Sequence, residues 1–326
     1  MVTYTAPVGT DNCPGATTTR TAGPASGSTF PVGVTTVTHQ VTAANGQTAS
    51  CSFTVTVVDN QAPTITCPAN ISVNATAGTC GAVVTYTAPV GTDNCPGATT
   101  TRTAGLASGS TFPVGVTTVT HQVTAANGQT ASCSFTVTVV DNQAPTITCP
   151  ANISVNATAG TCGAVVTYTA PVGTDNCPGA TTTRTAGPAS GSTFPVGVTT
   201  VTHQVTASNG QTASCSFTVT VVDNQAPTIT CPANISVNAT AGTCGAVVTY
   251  TAPVGTDNCP GATTTRTAGP ASGSTFPVGV TTVTHQVTAA NGQTASCSFT
   301  VTVVDNQAPT ITCPAKHQCK CHSRHL

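Results

Sequence analysis

The stretch APTITCPANISVN, Ala62 to Asn74, decides the architecture in two ways. Read by twos, Ile65, Cys67, Ala69, Ile71 and Val73 alternate with Thr66, Pro68, Asn70, Ser72 and Asn74, which is the period of a half-buried strand. Read along the chain, its first eight letters return at Ala144, Ala226 and Ala308, at a constant interval. A fixed period of this size, about 82 residues, marks a repeat architecture. Residues 1–61 match the last part of a repeat, with Met1 in the place of Val83. Residues 62–143, 144–225 and 226–307 are full copies, and residues 308–326 are a stub whose pattern stops after Ala315. Inside the aligned copies only two positions differ: Leu106 against Pro24, Pro188 and Pro270, and Ser208 against Ala44, Ala126 and Ala290.

Within one copy the further strand candidates are Ala82 to Thr87, Ala98 to Thr103, Thr117 to Thr124 and Cys133 to Val140, separated by turn-forming Gly, Pro, Asn and Asp. Asn127-Gly128 joins the last two as a hairpin, because both residue types tolerate positive φ. Thr recurs throughout the copy from Ala62 to Gln143, and a β-branched hydroxyl residue suits the solvent face of a strand. The expectation is all-β: tandem β-sandwich modules, each one repeat of about 82 residues. Their core of Val, Ile, Phe112, Phe135 and Tyr86 is thin, so the module needs covalent help.

Composition narrows the function classes. Of 326 residues 5% are charged, none is Trp and 17 are Cys, a balance that suits a repetitive extracellular scaffold and not an ordinary enzyme. The formal net charge is −1 and the few cations form no basic face, which argues against nucleic acid or an anionic membrane as partner. No apolar run approaches the roughly 18–20 residues of a membrane span, and the first residues lack the charged and apolar regions of a signal peptide.

Each full copy carries four cysteines, for example Cys67, Cys80, Cys95 and Cys133, and an even count at fixed spacing predicts two disulfides per copy, formed in an oxidising compartment. Zinc is the competing reading, but there is no CxxC pair and each copy has one His. Four cysteines allow three pairings. The shortened first repeat retains only Cys13 and Cys51, the counterparts of Cys95 and Cys133, and so points to one of them. The expected set is Cys13–Cys51, Cys67–Cys80, Cys95–Cys133, Cys149–Cys162, Cys177–Cys215, Cys231–Cys244 and Cys259–Cys297.

The ordered strings DNQAPTITCPANISV, GAVVTYTAP, TDNC, SGSTFPVGVTTVTHQVTA and NGQTASCSFTVTVVD resemble the hyalin repeat, or HYR domain, over nearly the whole chain. The most specific parts are Phe112 to Thr120 followed by Ala131 to Asp141. The resemblance implies an immunoglobulin-like fold, an extracellular or cell-surface location, tandem arrangement in matrix proteins, a link to adhesion, and no catalytic residue. Two features depart from it: His121 and its copies stand where many such repeats have an aromatic residue, and the tail after Ala315 leaves the pattern.

No nucleophile and base, and no pair of differentiated carboxylates, assembles in the sequence. His39, His121, His203 and His285 are one strand position copied four times, read as packing or a satisfied imidazole; Arg20, Arg102, Arg184 and Arg266 read as solvated surface. All eight acids are Asp followed by Asn. One set, Asp59-Asn60, Asp141-Asn142, Asp223-Asn224 and Asp305-Asn306, lies at module junctions; the other, Asp11-Asn12, Asp93-Asn94, Asp175-Asn176 and Asp257-Asn258, precedes a loop cysteine. In an immunoglobulin-like module these two places share one end, bringing Asp59, Asn60, Asp93 and Asn94 together as a weak Ca²⁺ site, with equivalents at the later junctions. The competing and favoured reading is turn formation by Asp and Asn side chains. Glycosylation sequons recur at Asn70, Asn74, Asn152, Asn156, Asn234 and Asn238 on the polar face of the first strand. In the tail, His317, Cys319, Cys321, His322 and His325 form a soft-metal set, against which stands the reading of a splice or gene-model boundary.

These features predict a non-enzymatic extracellular spacer, adhesion or matrix protein without a resident cofactor, whose partners are other extracellular proteins or glycans. Two alternatives are a Ca²⁺-dependent rod-like assembly protein, and a fragment of a larger surface protein with no independent function.

Overall fold

The computed structural model describes residues 1–315 and divides into two compact units. The first comprises Met1–Pro145 with the loops Asp175–Ala180 and Ala207–Gln211; the second comprises Thr146–Thr174, Thr181–Thr206 and the chain from Thr212. All regular structure among the described residues is β.

In the first unit, β1 (Thr17–Ala22), β2 (Gly33–Thr42) and β3 (Thr48–Val57) form a three-stranded antiparallel sheet. The first full repeat follows with β4 (Ile71–Asn74), β5 (Gly81–Val84), β6 (Thr99–Ala104), β7 (Ser110–Pro113), β8 (Gly115–Thr124) and β9 (Thr130–Val140). A four-stranded sheet in the order β4-β9-β8-β6 packs on the two-stranded sheet β5-β7. Between them lie Ala82, Val84, Phe112, Val119, Phe135, Val137 and Val139, all buried. In the second unit the same sheets and equivalent core residues recur over Ile153–Val222 and Ile235–Val304. The chain is therefore a series of all-β sandwich modules, as the period-two pattern predicts.

The alternation decides which face is wet. Along β8 and β9, Val119, His121, Val123, Phe135, Val137 and Val139 point inward, while Thr118, Thr120, Gln122, Ser132, Ser134 and Thr136 pair on the outer face. Thr120 and Ser134 share a hydroxyl–hydroxyl hydrogen bond of 2.9 Å there. The β8–β9 hairpin differs in detail from the sequence expectation: only Gly128 has positive φ, at 84°, and Asn127 instead accepts the Gln129 N–H through Oδ1. Gly91 is needed because a Cβ there would overlap the Val123 side chain where the preceding segment crosses β8. Tyr86 anchors the opposite loop by donating its hydroxyl to the Leu106 carbonyl at 2.7 Å. Since the acceptor is main chain, Pro188 and Pro270 serve equally well in the other repeats.

The strand expected over Ile65–Val73 starts only at Ile71, and β7 lies outside the expected strands because STFP is short and contains a proline. The more consequential difference is the pairing of β4, which lies parallel to β9 with Ile71 opposite Val137 and Asn74 opposite Val140. A parallel pair keeps a constant offset, so the residues just before Ile71 continue alongside those just before Val137. Asn70 Oδ1 accepts the Thr136 N–H at 2.9 Å, and Cys67 bonds to Cys133 with their Cα atoms 5.5 Å apart.

The cysteine pairing expected from sequence is thereby corrected. Within repeats the bridges are Cys67–Cys133, Cys149–Cys215 and Cys231–Cys297. Between repeats they are Cys80–Cys177 and Cys162–Cys259, with Cα atoms 4.7 Å apart in both. None of Cys67–Cys80, Cys95–Cys133, Cys149–Cys162, Cys177–Cys215, Cys231–Cys244 and Cys259–Cys297 forms. Nor does Cys13–Cys51: both are exposed free thiols, as are Cys244 and Cys313, and Cys95 is a half-buried one. The inference from the first repeat failed because Met1 aligns with Val83, so that repeat contains no counterpart of Cys67 or Cys80. Its two cysteines belong to two different bonds.

Closing a loop of 66 residues is worth about 4 kcal/mol in chain-entropy terms. Replacing Cys67 and Cys133 together by Ser should lower the denaturant-unfolding free energy of that repeat by about this amount, whereas replacing exposed Cys51 by Ser should leave unfolding unchanged.

Candidate functional site

Six of the eight aspartates gather at three module junctions, each junction lying within one compact unit. At the second junction the Asp141 carboxylate is 7% exposed. Its Oδ1 accepts the Gln143 N–H at 3.1 Å, closing a turn over the linker, and an Asn176 amide hydrogen at 3.2 Å. Its Oδ2 accepts from Asn209 Nδ2 at 3.0 Å. Both amides also donate to main-chain oxygens: Asn176 to Thr79 at 2.9 Å and Asn209 to Gln143 at 2.8 Å. Because each Nδ2 faces two oxygens, the orientation of these amides is determined by chemistry. Gln211 donates to the Asn142 carbonyl at 3.2 Å, and Gln143 Oε1 accepts the Gly78 N–H at 2.9 Å. The linker is thus gripped by its own module at Gly78 and by the next module through two loops, one of which also reaches Thr79.

The Asp223 junction repeats this grip, and the Asp59 junction repeats the part made by the next module's loops. Asp223 is bound by Gln225 N, Asn258 and Asn291 at 3.1, 3.2 and 3.0 Å, and Asn258 reaches Thr161 O at 2.8 Å. Asp59 is bound by Gln61 N, Asn94 and Asn127 at 3.1, 3.4 and 3.0 Å. The Gln61 N–H and the Asn94 amide hold the Asp59 carboxyl below the usual carboxylate range. Next to it, desolvation and the Asp59 carboxylate push the Cys95 thiol up. A hollow of about 750 Å³ opens beside Asp59, Cys95 and Asn127, lined also by Pro31, Val32 and Val57.

A second carboxylate completes each cluster. Asp93, Asp175 and Asp257 use Oδ2 to accept the N–H of Cys95, Cys177 and Cys259, whereas their Oδ1 atoms are buried without a partner. Asn176 and Asn258 likewise leave Oδ1 unpartnered. In each of the sets Asp59, Asp93, Cys95; Asp141, Asp175, Cys177; and Asp223, Asp257, Cys259, the candidate ligand atoms lie within 4.8 Å of one another. In the last two sets the sulfur is consumed by the bridge to Cys80 or Cys162, leaving two carboxylates and an amide oxygen. Ca²⁺ takes six to eight oxygens, so a cation there would complete its shell with water. Asn60, Asn142 and Asn224, expected as ligands, take part through main-chain oxygens that accept from Gln129, Gln211 and Gln293. Asn127, Asn209 and Asn291 escape the sequence reading because Asn-Gly reads as a hairpin signal alone, and the Asp that gives each Asn its second role is 68 residues away in sequence.

The remaining candidates are scattered. His121 is 5% exposed, edge-on to Tyr86 at 6.2 Å and stacked at 10° to Phe135, with Nδ1 unpartnered, so of the two expected readings it is the packing one that holds. Burial, and secondarily the Arg102 charge, lower its pKa; His203 and His285 behave alike. Arg102 is exposed and donates to the Gly105 carbonyl. Asn74 is exposed on the edge strand β4, and Asn70 is exposed with its carbonyl oxygen engaged by Thr136. His317, Cys319, Cys321, His322 and His325 lie outside the described residues. No helix among the described residues is long and apolar enough to cross a membrane.

Comparison with known proteins matches the HYR domain at residues 1–57, 58–139, 140–221 and 222–303. The chain is 39% identical over 328 residues to a hyalin of Strongylocentrotus purpuratus, covering 96% of this chain and 27% of that protein. It is 36% identical over 332 residues to a hyalin of Lytechinus variegatus, covering 96% of this chain and 60% of that one. The chain thus spans between about a quarter and three fifths of these relatives. Solved structures similar to it include the Protocadherin GammaB4 extracellular domain, at 15% identity and a TM-score of 0.35 over 89% of this chain and 59% of that one. Mouse Cadherin-23 EC22-24 is similar at 14% identity and 0.30 over 76% and 100%.

Two consequences are measurable. Asp141→Ala strands two oriented amides in a buried joint and should cost about 2–4 kcal/mol in urea unfolding; Asp305→Ala, which removes one exposed hydrogen bond to Gln307, should cost less than about 1 kcal/mol. For His121, His203 and His285 the folded pKa lies below that of the unfolded chain, about 6.5. Their contribution is full above that pH and declines as pH falls toward the folded value. The unfolding midpoint should therefore drop between about pH 7.5 and 5.5, and simultaneous His→Phe replacement at the three positions should flatten that drop.

Proposed function

The chain belongs to the HYR domain family, and on that premise we propose that it is a non-enzymatic extracellular or cell-surface protein serving as spacer and adhesive or matrix module. The observation that carries this reading is the doubled joint: neighbouring repeats are linked by main chain and by Cys80–Cys177 or Cys162–Cys259, next to a buried Asp clamp. Five disulfides in one chain suit an oxidising compartment. Repeated, nearly identical modules give a weak partner many equivalent sites, so avidity can exceed the affinity of a single contact. The partners on this reading are other extracellular proteins or glycans. In a glycosylating secretory pathway Asn74, Asn156 and Asn238 are the more accessible sequons, since Asn70, Asn152 and Asn234 each hold a main-chain N–H. Antibody against the native protein should label unpermeabilised tissue or its matrix, and the secreted chain should lose mass on N-glycosidase treatment. Labelling confined to permeabilised cells would refute the extracellular reading.

A second reading is favoured by the unpartnered Oδ1 atoms of Asp93, Asp175 and Asp257: weak Ca²⁺ binding at the junctions, where two carboxylates lie close together. Calorimetric titration should then show binding in the millimolar range, lost in the triple variant Asp93→Asn, Asp175→Asn, Asp257→Asn. No heat and no thermal shift with the unaltered chain would eliminate this reading.

A further inference from the structure

We propose that the array is a load-bearing tether whose modules, on unfolding, lengthen by only a small fraction of what unbridged modules would. The inference rests only on the bonding pattern and needs no adhesion partner, so it stands or falls separately from the reading above.

A pull on the two ends of a cross-linked chain follows the shortest covalent route. Here that route enters a repeat at Cys67, crosses to Cys133, runs to Cys149, crosses to Cys215, runs to Cys231 and crosses to Cys297. Each bridge therefore removes a 66-residue interval from the tensioned path. Only the short stretch between one bridge and the next, Cys133 to Cys149 for example, carries load. Fully extended, that stretch spans about 56 Å, whereas an unbridged repeat would span about 290 Å. The ten-residue strand β8 already spans about 33 Å in the folded module. Melting the sandwich under tension thus lengthens a bridged repeat by roughly 30 Å and an unbridged one by roughly 250 Å.

The bridges between repeats act as a second restraint. Cys80–Cys177 lies on a longer route and stays slack while Cys67–Cys133 is intact. If the inner bridge is lost, the load passes from Cys67 to Cys80, across to Cys177 and back to Cys149, a path about 25 residues or about 90 Å longer. The lengthening is still far below that of a free repeat. The same bond holds neighbours together if the exposed linker between them is cut, because Cys80 and Cys177 lie on opposite sides of Asn142.

The test is single-molecule stretching of the whole chain with handles at its two ends, reading fully extended length, which is informative whether or not a variant folds. Reductant should lengthen the chain by about 700 Å, or about 230 Å for each of the three inner bridges. Under oxidising conditions the Cys67→Ser, Cys133→Ser variant should gain about 90 Å, and adding Cys80→Ser should raise the gain to about 230 Å. Residues 1–57, which hold no bridge, provide the long step as an internal control in every trace. An oxidised chain as long as the reduced one would overturn the proposal. So would a gain of about 230 Å from the inner-bridge variant alone, because the outer bridge would then bear nothing.

Discussion

The parallel pairing of β4 on β9 is the constraint on which the rest of the molecule depends. It is a short contact of four residues, yet a parallel ladder fixes one offset for everything adjoining it. That offset places Asn70 on Thr136 and Cys67 on Cys133, which ties the first strand of each module to its last. With Cys67 so occupied, Cys80 faces outward from its own module and meets Cys177 of the next. A choice of strand direction inside one sandwich thus decides whether neighbouring modules are bonded at all.

The joint that results combines two kinds of interaction with different strengths. The bridge is covalent and limits separation. The Asp clamp is electrostatic and directional: a buried carboxylate receives two amides whose remaining hydrogens are fixed on carbonyls. Hydrogen bonds to a charged acceptor are stronger than neutral ones, and their value rises with burial. Asp141 and Asp223 are buried in this way, while Asp59, whose own repeat lacks the Thr79 and Cys80 counterparts, is more open and adjoins a hollow. The comparison shows the bridging loop completing the joint, since the same Asp and Asn residues are present in all three places.

Much of the fold was legible in the residues. Period-two alternation over Ile65 to Asn74 pointed to the all-β class, and Phe112 and Phe135 were expected in the core where they lie, because burial on one face imposes such patterns directly. The pairing of Asp and Asn at two fixed places pointed to the junction. The cysteine connectivity was not legible, since it depends on strand direction, and nothing in Ile71 to Asn74 distinguishes a parallel from an antiparallel neighbour. Nor was the role of Asn127, whose turn-forming character accounts for its presence without reference to Asp59. The shortened first repeat suggested the wrong rule because its two cysteines are the unmatched halves of two bonds, which only the intact repeats reveal.

The most direct test of this account is a non-reducing peptide map of the protein from its native source, assigning every cysteine. Peptides joining Cys67 with Cys133 and Cys80 with Cys177, together with their equivalents in the later repeats, are the predicted result. Peptides joining Cys67 with Cys80 and Cys95 with Cys133, or free thiols at these positions, would contradict the parallel strand pair, the doubled joint and the tether built on them.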